Sequence, residues 1–379
     1  MEVVKISNVI QEHDDSPSIR LLTLIAMVGE LPDSQAHRVV FSPTYLRKII
    51  TKLKGDNLIR TYYKNNLRGY RLTACGKKVL AQERPERAAA LFSGKPSVNR
   101  PKYSVPDRLR LHRMAEVTLT MLNADIAAYP WEKPALFDGE YISDGVTFTA
   151  PQYYTSFELK EIGEEESKIR GSRATGVLLT PDTDYIVYNT GGAEMEWKYQ
   201  AEVRLKTLAK RELGKARMAR GLVANDPDAI IFARDMSQLP VLMDAMRQRK
   251  HDYFVLDGNF KRFFYLINDQ YGELLVQFLC DRQLRKSLDD ILVADLRPGN
   301  PNGPIENDGY SDDGSPVLVS YLCDMPRIKR FDNALTMREK TGTLLCFDFQ
   351  EPALRQICSQ NVKIQTISFE AVKGGITDQ

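Results

Sequence analysis

Three residues of this 379-residue chain are of types that could do metal-assisted chemistry together: Asp144, Glu158 and Lys160. Asp144 falls in Tyr141–Phe148 and the other two in Thr155–Glu161, and both runs read as strands. Residues two apart on a strand point to one face, so Glu158 and Lys160 share a face while Phe157 and Leu159 take the other. Asp144, at a turn of the preceding strand, can approach the same face. Two converging carboxylates offer hard oxygen ligands to Mg²⁺. The Lys160 ammonium can then orient the attacking water or stabilise the phosphorane-like state. The expected catalytic set is Asp144, Glu158 and Lys160, with Asp144 and Glu158 as metal ligands and Mg²⁺ as cofactor. The competing reading is a solvated Glu–Lys strand edge, which proteins use to block edge pairing.

Other candidates carry less. His112 and Glu116 sit one turn apart on an expected helix, where a solvated polar face is the commoner arrangement. The four histidines are too scattered for a zinc site, and the five cysteines form no CxxC pair. The odd, widely spaced cysteines read as reduced thiols in a cytoplasm. Gly171–Gly176 has two glycines but no lysine–hydroxyl pair of a phosphate loop, so a turn is expected there. Tyr62-Tyr63 suits packing in a hairpin better than a tyrosine nucleophile. No apolar run approaches the roughly 20 residues of a membrane span, so no membrane partner is expected. The N-terminus lacks the apolar core of a signal peptide.

The elements that would bring such a protein to DNA lie in the first 82 residues. Ile19, Leu21, Leu22, Ile25 and Val28 predict an amphipathic helix within Pro17–Pro32, and a second helix is expected near Asp33–Val39. Ser42-Pro43 is an N-cap followed by a proline suited to the first helical position. Beyond it Leu46, Ile49, Ile50 and Leu53 form one apolar face, and Thr44, Arg47, Lys48, Thr51 and Lys52 the other. Two short runs joined by Asn65-Asn66 predict a hairpin, because asparagine tolerates the positive φ of a tight turn. Thr73 then caps another helix. Helix, helix, helix, two-stranded wing, helix is a winged helix-turn-helix. Between Ser42 and Ala81 ten residues are basic and only Asp56 is acidic. A merely solvated face mixes both signs, so this run points to phosphate contact and counterion release. The expected DNA-binding residues are Thr44, Arg47, Lys48, Thr51, Lys52, Lys64 and Arg68.

Glu83–Arg108, rich in proline, reads as a linker. Leu109–Ala128 predicts a helix through Leu111, Met114, Ala115, Leu119 and Leu122. Strands are expected at Gly176–Thr180 and Tyr185–Asn189, and a charged helix over Glu194–Lys215. Alternating strands and helices from Ala229 to Ser368 predict a further α/β region, with Arg297–Pro316 as a disordered loop. A hydrophobic content of 43% and a charged content of 27% are those of ordinary folded domains. The fold class is thus α/β (α+β): residues 1–82 a winged helix-turn-helix, 83–108 a linker, 109–215 a mixed sheet flanked by helices, and 216–379 a C-terminal α/β region.

At Ser143-Asp144 and Glu158-Leu159-Lys160 the chain resembles the PD-(D/E)XK nuclease superfamily, with serine where proline is usual. Tyr70–Leu80, with its Leu72-Thr73-x-x-Gly76 step, resembles the wing-to-helix segment of bacterial winged-helix regulators. Winged helix followed by a nuclease-like core resembles the replication-relaxation proteins of bacterial plasmids and integrative elements, over Pro17 to Gly192. Leu109–Arg113, the Asp144 turn and Phe157–Lys160 carry that resemblance. It implies a mobile-element DNA transaction, in replication or transfer, with double-stranded DNA as partner and a homodimer as a compatible assembly; because relatives retain the acidic residues more reliably than the lysine, the resemblance leaves open whether Mg²⁺-dependent cleavage accompanies binding. The alternative is a winged-helix transcriptional regulator with a non-catalytic C-terminal interaction domain.

Overall fold

The computed structural model describes residues 16–40, 42–92, 102–134, 150–159, 171–192, 198–218, 223, 225–247 and 259–377. It is a mixed α/β structure in two compact units, one of residues 1–119 and 129–131, the other of 120–128 and 132–379.

In the first unit, helix α1 (Pro17–Val28) is capped by Ser16 and ends at Gly29. Strand β1 (Leu31–Pro32) follows, then a 3₁₀-helix over Asp33–Arg38 where a second helix was expected. It is a short 3₁₀ piece, and Asp33-Ser34-Gln35 supplies no apolar period for a longer α-helix: of its six residues only Ala36 and Arg38 are buried. Helix α2 (Pro43–Gly55) starts as the sequence predicts, with the Ser42 hydroxyl accepting from the Tyr45 N–H. Its Leu46, Ile49 and Leu53 are buried, each contributing about 1.5–3 kcal/mol of apolar transfer.

Strands β2 (Ile59–Lys64) and β3 (Leu67–Leu72) pair antiparallel in continuous register from Ile59↔Leu72 to Lys64↔Leu67, and β1 pairs with β3 on its other side. Asn65 and Asn66 make the turn with φ of 50° and 61°. Thr73 caps α3 (Ala74–Glu83) through its hydroxyl. A Cβ on Gly76 would lie 2.1 Å from the Leu58 carbonyl oxygen, so glycine lets this helix pack onto the start of the hairpin. Within the expected linker, Pro85–Phe92 is a helix, α4, packed with α3. Helix α5 (Val105–Asn123) begins four residues before the expected start at Leu109.

The second unit holds two five-stranded sheets. In the first sheet β4 (Gln152–Thr155), β5 (Ala174–Leu179) and β6 (Asp184–Gly191) are antiparallel neighbours. After α7 (Tyr199–Met218), β7 (Asp228–Ala233) joins parallel to β6, and after α8 (Gln238–Arg247) β8 (Phe263–Ile267) joins parallel to β7. A short helix α6 (Ser156–Leu159) continues from β4. The expected boundary near residue 215 falls inside this sheet, between paired β6 and β7.

Helices α9 (Gln270–Cys280) and α10 (Arg282–Leu292) occupy the region where one helix, Leu274–Leu284, was expected. Asp281 divides them by capping α10 through the N–H groups of Gln283 and Leu284. The second sheet runs β13-β12-β11-β10-β9. Its β11 (Pro316–Val319), β12 (Gly342–Phe347) and β13 (Val362–Ile367) are parallel, linked through α11 (Met325–Met337) and α12 (Glu351–Ile357); α13 (Phe369–Thr377) follows. The Arg297–Pro316 segment is ordered rather than disordered. It forms β9 (Arg297–Pro298) and β10 (Gly309–Tyr310), and buries Asn307, whose side chain bonds the Asn300 N–H and the Ile305 carbonyl. The two sheets meet where β8 bridges Asp324 through Phe264 and the Tyr265 N–H donates to Cys323 O at 3.1 Å. One apolar core runs beneath both. Among the described residues no helix is long and apolar enough to cross a membrane.

Candidate nucleic-acid interface

The apolar face of α2 turns Leu46, Ile49 and Leu53 inward, and this fixes what the opposite face shows. Thr44, Arg47, Lys48, Thr51 and Lys52 are all exposed there, with Tyr45 beside them at 48% exposure. No carboxylate interrupts the helix, and the Arg47, Lys48 and Lys52 side chains have no hydrogen bond or ion pair among the described residues. A second cationic group sits at the hairpin tip. Lys64 and Arg68 are exposed on either side of the Asn65-Asn66 turn, and Tyr63 is exposed with its hydroxyl bonded to Asn66 Oδ1. Arg68 makes one ion pair, to Asp33 at 3.4 Å, and stays half exposed. All seven DNA-contact candidates are therefore on the surface, in the helix and hairpin that the sequence assigned to them.

Arg71 is different. It points inward and donates from Nε to Glu30 Oε2 at 2.8 Å. Glu30 is fully buried and also takes hydrogen bonds from Arg108 and from His112 Nε2, the latter at 2.8 Å. Burial alone would raise the Glu30 pKa, but the bonds from His112, Arg108 and Arg71 outweigh it and hold the carboxyl at about 2. Arg108 also donates to the Tyr62, Lys64 and Leu67 carbonyls, so the same network braces the hairpin. Tyr62 lies under both guanidinium groups, 4.2 Å from Arg71 and 4.6 Å from Arg108, which is a packing role. His112 is thus neither a metal ligand paired with Glu116 nor part of a solvated face. The sequence hid this cluster because Glu30, Arg71 and Arg108 are far apart in the chain and each looks like an ordinary surface charge.

Of the expected metal site, only Glu158 is within the described residues; Asp144 and Lys160 lie outside them. Glu158 is on the helical turn α6, not on a strand. The strand stops at Thr155 because the Glu158 carboxylate folds back and accepts from the Thr155 N–H at 2.7 Å and the Thr155 hydroxyl at 2.9 Å, which caps the turn. The alternation that put Glu158 and Lys160 on one strand face therefore does not hold at residue 158. Glu158 is further paired with Lys133 at 3.0 Å. The Lys133 side chain is 1% exposed, lies over the Tyr154 ring and donates to the Ala128 carbonyl at 2.8 Å and to that of Tyr153. Burial pulls its pKa down against the opposing pull of Glu158. Sequence reasoning missed Lys133, whose flanking Glu132 and Pro134 carry no motif.

Two other buried ionic groups brace the central sheet. Arg217 forks onto Asp184 at 3.1 Å and bonds the Thr180 and Pro181 carbonyls. Glu202 accepts from Ser172, Tyr188 and the Arg173 N–H. Among the described residues no group of three or more His, Cys, Asp or Glu side chains is placed to hold a metal ion. Comparison of the chain with protein-family models, with curated proteins and with solved structures gives no match.

Proposed function

We propose that the chain is a DNA-binding protein whose N-terminal unit is a winged helix-turn-helix. In this reading α2 enters the major groove and the β2–β3 hairpin is the wing on the adjacent backbone. The observation that carries it is the exposed face of α2: three unpaired cations and two threonines, with no acid, opposite a fully apolar buried face. Such a surface gains free energy by displacing counterions from phosphates. Fluorescence anisotropy with duplex DNA over a series of salt concentrations tests it. Replacing Arg47, Lys48, Lys52, Lys64 or Arg68 by alanine should weaken binding and lower the salt slope by about one unit each. Binding that ignores salt, or that survives deletion of residues 1–82, rules the reading out.

A nuclease-like role for the central sheet is supported by the order of its elements. Helix α5 followed by the antiparallel pair β5 and β6 agrees with the expected helix from Leu109 and the expected strands at Gly176–Thr180 and Tyr185–Asn189, while the expected strand over Tyr141–Phe148 lies outside the described residues. Under this reading Asp144, Glu158 and Lys160 act with Mg²⁺ on DNA of a plasmid or integrative element. Metal-dependent cleavage of supercoiled and single-stranded DNA, with Lys160→Ala alongside, separates it from a regulator that binds without cutting.

A further inference from the structure

Just beyond the carboxyl end of β11 lies a cleft of about 500 Å³, within the range of small-ligand sites. Its position is the one that open α/β sheets use for ligands. The wall includes Ser320 and Asp324, which are 5% and 9% exposed. Ser320 Oγ and Asp324 Oδ1 have no hydrogen-bond partner among the described residues. Buried polar atoms without partners are rare, because each forfeits the hydration it had in the unfolded chain. Asp324 stands at the N-cap position of α11 yet makes no side-chain capping bond. Burial lifts its carboxyl to about 6.

The charges around the cleft divide into committed and uncommitted groups. Arg327 is held by Glu306 and Asp308, at 2.7 Å each, and Arg330 by Glu306 at 3.0 Å. Asp289 accepts the Tyr321 hydroxyl at 2.8 Å, and Arg262 pairs with Asp228 at 2.7 Å. Lys261 and Arg285 line the cleft with no hydrogen bond or ion pair from their side chains among the described residues. The site thus presents, among the described residues, two cations without ion pairs, Lys261 and Arg285, one carboxylate without one, Asp290, and two buried oxygens that lack partners.

We propose that this cleft binds a phosphomonoester carrying free hydroxyl groups, of the nucleoside-monophosphate class, with Lys261 and Arg285 on the phosphate and Ser320 and Asp324 on the hydroxyls. A carboxylate accepts from a sugar hydroxyl and a serine both donates and accepts, so a polyol serves both orphan atoms. A guanidinium and an ammonium supply charge-assisted bonds to phosphate oxygens. The same chemistry exists in a free mononucleotide and at the 5′-phosphorylated end of a nucleic acid strand.

Isothermal titration of the full chain tests the assignment. The probes are adenosine monophosphate, adenosine, inorganic phosphate, and a dinucleotide with either a 5′-phosphate or a 5′-hydroxyl. Saturable binding is expected for adenosine monophosphate if the source is a free nucleotide, or for the 5′-phosphorylated dinucleotide alone if it is a strand end. In either case Arg285→Ala and Ser320→Ala should each weaken binding about tenfold or more. Arg285 is partly exposed on α10, so Arg285→Ala keeps the fold and reads the phosphate contact directly. Three results overturn the assignment: no saturable binding of either phosphorylated probe, affinities unchanged in both variants, or inorganic phosphate binding as tightly as the nucleotide.

Discussion

Arg71 Nε donates to Glu30 Oε2 at 2.8 Å, with both side chains buried. One of the ten cations between Ser42 and Ala81 thereby serves the interior rather than the exposed cationic surface. The two kinds of arginine should separate by experiment. Arg47→Ala should change stability by no more than about 0.5 kcal/mol while weakening DNA binding. Arg71→Ala uncovers a buried carboxylate and should cost on the order of 3 kcal/mol. Thermal melts run beside binding titrations check this, and equal melting temperatures for the two variants would contradict it.

Glu30 also sets an acid limit on the first unit. Its folded pKa of about 2 lies below its ordinary value of 4.5. A depressed acid contributes stability that is fully present above the ordinary value and is lost as pH falls toward the folded one. Unfolding free energy should drop by about 1.4 kcal/mol for each pH unit between roughly 4.5 and 2. Urea denaturation at pH 6, 4 and 3 measures the slope. Glu30→Gln should lower stability at pH 6 and flatten that slope; an acid slope identical to that of the unsubstituted chain would exclude Glu30 as its source.

The hairpin turn should respond chiefly to backbone conformation; the one side-chain bond there among the described residues is the exposed one from the Tyr63 hydroxyl to Asn66 Oδ1. Asn65 and Asn66 both hold positive φ. Alanine at either position should cost about 1 kcal/mol, and glycine should be close to neutral. Because Lys64 and Arg68 flank the turn, DNA affinity should fall with the alanine variants and hold with the glycine variants. A glycine variant that melts like the alanine one speaks against the turn as the cause.

Glu158 can be interrogated without any metal. Its carboxylate caps the Thr155 turn and neutralises buried Lys133. Glu158→Ala should therefore lower stability by about 1–3 kcal/mol in chelator-treated buffer. A carboxylate that acts only on a metal ion would leave the metal-free melt where it was.

The N-terminal unit was legible because its signals are local. Ser42-Pro43, the Asn65-Asn66 turn and the Thr73 cap each fix an element boundary through bonds within three residues, and all three boundaries stand where the sequence puts them. The α/β region of the C-terminal third was legible for a similar reason: a fully buried strand such as Ala229–Phe232 is one apolar run. What the sequence concealed depends on distance or on side chains folding back. Glu158 bonding its own backbone ended a strand that alternation would have continued. Glu30 and Arg108 meet across 78 residues. Asp281 cut one apolar pattern into two helices by capping the second. The cleft beside β11 draws on Lys261, Arg285, Ser320 and Asp324, four positions with no shared motif.

The antiparallel bridge from β8 to Cys323 and Asp324 has a consequence for how the protein behaves at high concentration. A strand at the margin of a sheet offers unpaired N–H and C=O groups to any other strand, and growing fibrils or swapped dimers begin from such offers. Here the Tyr265 N–H is already taken by the Cys323 carbonyl, so the parallel side of the first sheet ends against a segment of the same molecule. Loosening the Ser320–Asp324 segment would reopen that margin to pairing with another strand.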